Sequence, residues 1–323
     1  MKLTLFLLAF TTFAAVAATE ETLTKRFTVQ PEGKLVVDVD FGSIDVTTNR
    51  TSEVIVEVWR RITWRNKADE EKFLQDHPVT IRHEDNTVTV RSRCKGLGGW
   101  SGGGRSRTEA KYTITVPAQF NAQLKTSGGG IAVSDLTGEV KANTSGGGLC
   151  FARLRGPVDG GTSGGGIHVT DCEGKLKIHT SGGGIDVSGG SGSLDGHSSG
   201  GSVRVEAFKG DARVGTSGGG LTIENVIGQV EGSTSGGSVS AVLPSPLPGD
   251  VKLSASGGGV TVVVPADAAF ELDAWTSAGR VSSDVPVTVV GEVARHGLKG
   301  TVNGGGKSVV LRSSAGSIRL KKL

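Results

Sequence analysis

Aromatic side chains are scarce in this sequence. Tyr occurs once, Trp four times, and the aromatic types together make up 5% of 323 residues. A thick core built around large rings is therefore excluded, while a thin one lined with small branched side chains is not. Cysteine is nearly as rare. Cys94, Cys150 and Cys172 are the only three, so an extensive disulfide framework is excluded and at most one bridge can form. Charge of one sign is also missing: 35 basic residues against 32 acidic leave +3. A nucleic-acid binder would show a basic domain, and none is expected here. Beyond the N-terminus no apolar run is long enough to cross a bilayer.

The N-terminus reads as a secretory leader. Lys2 supplies the positive start, Leu3 to Phe13 the apolar run, and Ala15-Val16-Ala17-Ala18 the small residues a signal peptidase requires. Cleavage is expected after Ala17 or Ala18. No cysteine follows, so a lipid anchor is not expected. The chain is expected to be exported, to the periplasm, the cell surface or the medium. Residues 1–18 are assigned to the signal peptide, 19–120 to an N-terminal β-rich cover with a short helix, and 121–323 to repeats and closing strands.

What the sequence has in excess is glycine, 52 residues, and it is periodic. Thr-Ser-Gly-Gly-Gly starts at Thr126, Thr144, Thr162, Thr180 and Thr216, with variants at Ser198 and Thr234, a spacing of 18 residues. The next match, at Ala255, comes 21 residues on, after the insert Pro244 to Pro248. Looser echoes begin at Thr276 and Ser313. Between the motifs, apolar residues fall into columns. Ile131, Leu149, Ile167, Ile185, Val203 and Leu221 form one, and Val133, Phe151, Val169, Val187, Val205 and Ile223 a second. Leu136, Leu154, Cys172 and Phe208 form another, and Val140, Val158, Leu176 and Leu194 a fourth, followed by the mostly small Ala142, Gly160, Ile178 and Gly196. Spacing of two is strand periodicity, and a fixed repeat of this length signals stacked windings. The expected fold is all-β, a β-solenoid of 18-residue coils with two short strands each. Glycine at both corners is expected to supply positive φ, with Gly138, Gly156, Gly174, Gly192, Gly210 and Gly228 at the second. A flexible Gly/Ser linker would not keep such columns in register.

One outward column reads Lys141, Asp159, Lys177, Asp195, Arg213, Glu231, alternating in sign. Stacked strands lie about 4.8 Å apart, so alternation attracts, whereas slipping by one coil sets like against like. Toward the N-terminus, Lys34 to Val39, Ser43 to Thr47 and Val54 to Trp59 read as strands. Phe41 to Val46 reads as a degenerate coil, and Lys67 to Asp76 as a short helix. Val309 to Leu311 and Ile318 to Leu320 are expected to close the C-terminal end, where Lys321 and Lys322 would oppose end-to-end stacking.

Three segments carry a resemblance: Gly33 to Val37 with Gly42 to Val46; the Ser-Gly-Gly-Gly-Ile-x-Val windings, as in Ser181 to Val187; and Val302 to Gly306 with Ser313 to Ile318. In this order they resemble a bacterial β-strand-repeat family of unknown function, often labelled "putative adhesin" and related to auto-transporter adhesin head domains. The resemblance implies a right-handed β-solenoid at the cell surface or in the periplasm. It offers no catalytic residues to carry over.

Candidate chemistry is sparse. A polysaccharide-cleaving site needs clustered carboxylates. Asp135 and Asp171 share a column two coils apart, Asp186 neighbours Arg204, and no column holds three acids. Calcium would need a recurring aspartate, but Ala132, Cys150, His168 and Thr222 stand where Asp186 would recur. His179 and His197 are adjacent and lack a visible third ligand. Cys172 reads as core filler, and Cys150 as a free thiol or a partner of Cys94. Trp59 to Arg65 mixes aromatic and basic residues and suits either an anionic polymer or a cover strand. No catalytic, cofactor or metal residue is assigned. The reading is a non-enzymatic binding or structural protein whose partner is an envelope polysaccharide or another surface protein. The alternatives are a polysaccharide-active enzyme on the same scaffold and an envelope accessory protein.

Overall fold

The computed structural model describes residues 18–64, 66–94, 107–289 and 295–323. The leader as far as Ala17, Arg65 and residues 95–106 and 290–294 lie outside the described residues.

Strand is nearly the whole of the regular structure in the described chain, arranged as two sheets of 14 strands each. Through the repeats it passes from one sheet to the other and back. In the first sheet Ile131–Ser134, Leu149–Ala152, Ile167–Thr170 and their successors lie parallel, with Leu149 opposite Ile131 and Ile167 opposite Leu149. In the second, Val140–Thr144, Val158–Thr162 and Glu173–Thr180 do the same, with Val158 opposite Val140 and Leu176 opposite Val158. Partners thus differ by 18 residues. After the proline-rich insert the offset is 21, Val230 to Val251 and Val239 to Val260. The three extra residues are taken up in the connection, and the columns stay aligned.

Burial follows the alternation. The columns headed by Ile131, Val133, Leu136 and Val140 are buried and belong to one continuous core. Volume is matched across this core. A Cβ on Gly160 would meet the Phe151 ring at 2.7 Å, so a small residue on one sheet accommodates a large one on the other.

The corner glycines have two different causes, and this corrects one expectation. Gly138, Gly156, Gly174, Gly192 and Gly210 have φ between +123° and +148°, a region L side chains avoid. Gly228 and the Thr-Ser-Gly-Gly-Gly glycines are not among the positive-φ residues. In those motifs the middle glycine is required by stacking: a Cβ on Gly165, Gly183 or Gly201 would fall on the carbonyl oxygen of its equivalent one winding earlier.

The motif threonines form a buried ladder. The Thr144, Thr162 and Thr180 hydroxyls donate to the carbonyls of Gly129, Gly147 and Gly165 at 2.7, 2.7 and 2.8 Å. Ser198, Thr216 and Thr234 repeat the contact at 2.8, 2.7 and 2.7 Å. Each hydroxyl also accepts from the amide three residues on, as from Gly183 to Thr180 at 3.3 Å. One side chain thus ties its own corner to the corner beneath it.

At the N-terminal end the same stack continues. Lys34–Val39 pairs in parallel with Asn121–Lys125, and Ser43–Asn49 with Ile131–Ser134. Antiparallel strands then extend both sheets: Glu53–Thr63 and Thr19–Thr28 on the first, Thr80–Glu84 on the second. Lys67–Asp76 is a helix capped by Asn66, whose side chain accepts from Ala68 N, with Asp69 and Glu70 in its first turn and Phe73 buried.

The C-terminal strands do not lie where chain order suggests. Lys307–Ser313 inserts between Val251–Ala255 and Phe270–Thr276. Ile318–Lys322 lies between Val260–Val264 and Val281–Ser283. The outermost strands at this end are Val281–Ser283 and Gly297–Val302. Lys321 and Lys322 pair with Val263 and Val264 on one side, while Val281–Ser283 reaches only as far as Leu320 on the other. The sequence hides this because the echoes at Thr276 and Ser313 are nearly interchangeable, and the hydroxyls of both donate to corner glycines, Gly316 and Gly258.

Candidate binding surface

What the fold offers to a partner is its outer face, built from the residues that alternate with the core. On the second sheet the charge column is in register: Lys141 opposite Asp159, Lys177 opposite Asp195, Arg213 opposite Glu231. Glu231 pairs with Arg213 at 2.9 Å and with Lys252 at 3.6 Å. Lys141 turns to its neighbour Glu139 at 2.8 Å, and that contact, ahead of Asp159, raises its pKa.

His179 and His197 are opposite each other, yet their rings diverge. A Cβ on Gly161 would meet His179 Cε1 at 2.5 Å, and one on Gly215 would meet His197 Nδ1 at 3.3 Å. Each imidazole leans over a glycine on its far side. Near Gly215 an open notch of about 310 Å³ is lined by Asp195, His197, Arg213, Glu231 and Ser233. Among the described residues no group of three or more His, Cys, Asp or Glu is arranged to hold a metal ion.

The first sheet carries Cys150, His168, Asp186 and Arg204 as successive outward residues. Arg204 neighbours Asp186 in register but pairs with Glu206 at 3.1 Å and Glu224 at 3.4 Å. Cys94, Cys150 and Cys172 are all free thiols; Cys150 is exposed and Cys172 buried. The bridge considered between Cys94 and Cys150 is not formed.

A further cluster of charge lies where the chain leaves the first sheet. Asp135, Arg153, Asp171, Ala207 and Asn225 occupy one left-handed corner column, with φ between +51° and +62°, a conformation that Asp and Asn tolerate better than most. Arg153 grips Asp135 with two hydrogen bonds, 2.6 and 2.8 Å. Arg155 lies 3.7 Å from Glu173. Together with Asp171 and Thr137 they line an open groove of about 420 Å³. Three acids thus meet in one groove although no single column holds them. Reading down columns missed it because the groove crosses from one column to the next. The Arg153 guanidinium holds the Asp135 carboxyl below its usual range.

The described part of the aromatic and basic segment, Trp59 to Trp64, is not a free basic patch. Arg60 is 0% exposed; its Nε donates to Glu21 at 2.7 Å and Nη1 to the His77 carbonyl at 2.6 Å. Ile62 is buried, and Trp64 packs on Phe73 with ring centroids 5.1 Å apart. Arg61 faces out and lies 3.8 Å from Glu20.

Several solved structures share similarity over nearly the full chain. A putative adhesin from Bacteroides fragilis is 12% identical over 94% of this chain and 97% of its own, with a TM-score of 0.34. A putative cell adhesion protein from Clostridium sporogenes is 11% identical over 94% and 100%, TM-score 0.24. A putative lipid binding protein from Parabacteroides distasonis is 9% identical over 93% and 96%, TM-score 0.23. No curated protein matches the chain. The family model described as Toastrack DUF4097 matches residues 34–321. That span takes in the first winding, every Thr-Ser-Gly-Gly repeat and the inserted C-terminal strands, and the chain therefore belongs to the Toastrack DUF4097 family.

Proposed function

We propose that this chain is an exported, non-enzymatic binding or structural protein. In this reading it is a solenoid of 18-residue windings, covered at its N-terminal end by residues 19–120. It works in the periplasm, at the cell surface or outside the cell. The observation that carries the proposal is the pairing of charge on its outer faces. Asp135 is held ionised by Arg153, Glu173 faces Arg155, and Glu231 lies between Arg213 and Lys252. A carboxyl held low is a poor proton donor at neutral pH. A rigid lattice of paired charges suits recognition of a repeating polar polymer or another protein surface.

Cell fractionation followed by a binding screen against envelope glycans and envelope proteins tests this. Retention of an envelope polysaccharide or surface protein, weakened by Arg153→Ala, supports the reading. Finding the chain in the cytoplasm, or no binding across the screen, counts against it. A second reading, a polysaccharide-active enzyme, has one observation in its favour: Asp135, Asp171 and Glu173 share a groove. Cleavage of a polysaccharide that is lost in Asp171→Asn would establish it in place of the first.

A further inference from the structure

We propose that signal peptidase cuts between Ala18 and Thr19, and that the α-ammonium of Thr19 freed by that cut is held by the buried carboxylate of Glu70. This rests on the export reading above and deepens it, since the leader residues allow a cut after either Ala17 or Ala18.

Glu70 stands in the first turn of the helix Lys67–Asp76 and is 0% exposed. Its Oε1 accepts from the Trp64 amide at 2.6 Å. Its Oε2 accepts from the Thr19 hydroxyl at 2.5 Å and from the Thr19 backbone nitrogen at 3.1 Å. Burial raises its pKa, but the bonds from Thr19 and Trp64, aided by the Lys67 charge, outweigh this and leave it below the usual value. The carboxylate is thus held charged in a covered position. Among the described residues no cationic side chain lies within ion-pair distance; Lys67 pairs instead with Glu71 at 4.0 Å. A buried charge without a counter-ion is costly.

Among the described residues, pairing of the edge strand begins at Thr19, opposite Ile62, and runs residue by residue along its neighbour. Hydrolysis of the Ala18–Thr19 bond adds water, leaves the new carboxylate on Ala18 in the leader, and gives the nitrogen of Thr19 its extra protons. That nitrogen already sits 3.1 Å from Glu70 Oε2. Folding after the cut therefore turns a neutral amide contact into an ion pair at the one covered carboxylate of this helix. A cut after Ala17 leaves an amide at Thr19 and the ammonium one residue away.

Intact mass and N-terminal sequencing of protein recovered outside the cytoplasm decide the cut. Thr19 as the first residue is expected. A first residue of Ala18 overturns the proposal and leaves export standing, whereas a retained leader overturns both. The pairing is tested by comparing protein that starts at Thr19 with protein that keeps Ala18. Tm is expected to be about 2 °C lower in the longer form, with the difference absent in Glu70→Gln. Equal Tm values overturn the ion pair. Should Glu70→Gln not fold, the pH dependence of α-amine acylation in the wild-type protein decides. Titration above the ordinary range of about 7.7–8.0 supports the pair, and titration within it overturns the pair.

Discussion

The threonine that opens each repeat does more than the glycines that advertise it. Its hydroxyl links one glycine corner to the next, and it does so in a buried position where a lost partner leaves a polar atom unsatisfied. Thr180→Val is expected to destabilise by about 1–3 kcal/mol, measured by urea unfolding. Thr180→Ser should cost little, because Ser198 makes the same bond in the next winding. The sequence shows the threonine recurring but not its task, since the acceptor, Gly165, belongs to the preceding winding. The thiols separate in the same way. Cys150 should label rapidly with maleimide at neutral pH. Cys172 should react only on unfolding. Cys94, whose pKa burial and the nearby Asp40 push up to about 11, should stay slow until the pH approaches that value, because only the thiolate reacts. Fast labelling of Cys172 in the native state would contradict its place in the core.

At the scale of the strand, pairing register is the quantity under control. The inward columns alone leave adjacent windings nearly equivalent, since Ile131, Leu149, Ile167 and Ile185 are interchangeable in kind. The outward charges are not. Lys177 lies between Asp159 and Asp195, and Arg213 between Asp195 and Glu231. Replacing both by glutamate sets a run of carboxylates about 4.8 Å apart and is expected to lower Tm, with part of the loss recovered at high salt. An unchanged Tm in low salt would show that the column plays no part in stability. This column was legible in the sequence because strand alternation and the 18-residue offset place it without ambiguity. The corner groove was not: its residues belong to two columns, and only the turn geometry at Asp135 and Arg153 brings them together.

For the whole molecule the exposed sheet edges set the terms, and the two ends solve the problem differently. Antiparallel strands and a helix extend one end; at the other the chain doubles back, so that Lys307–Ser313 is held on both sides. Arg312 locks this insertion with paired bonds of 2.9 Å to the two carboxylate oxygens of Asp273. The same arginine, chiefly through these bonds, holds Asp273 below its ordinary 3.8. A carboxyl lowered on folding contributes stability above its unfolded pKa and loses it as pH falls through the folded value. The C-terminal strands are therefore expected to loosen in acid below about pH 4, seen as faster amide exchange in Phe270–Thr276. Asp273→Asn should show fast exchange already at neutral pH and little further change on acidification.

The all-β class, the 18-residue offset between paired strands, the inward columns and the alternating charge were decided by the sequence itself. They depend on spacing along the chain, and a parallel stack converts equal spacing directly into contact. The reason for the motif glycines, the divergence of His179 and His197, the burial of Arg60, the corner groove and the threading of the last strands were decided only by tertiary structure. Each depends on which winding lies next to which, and on side chains crossing between columns, and the linear repeat is silent on both.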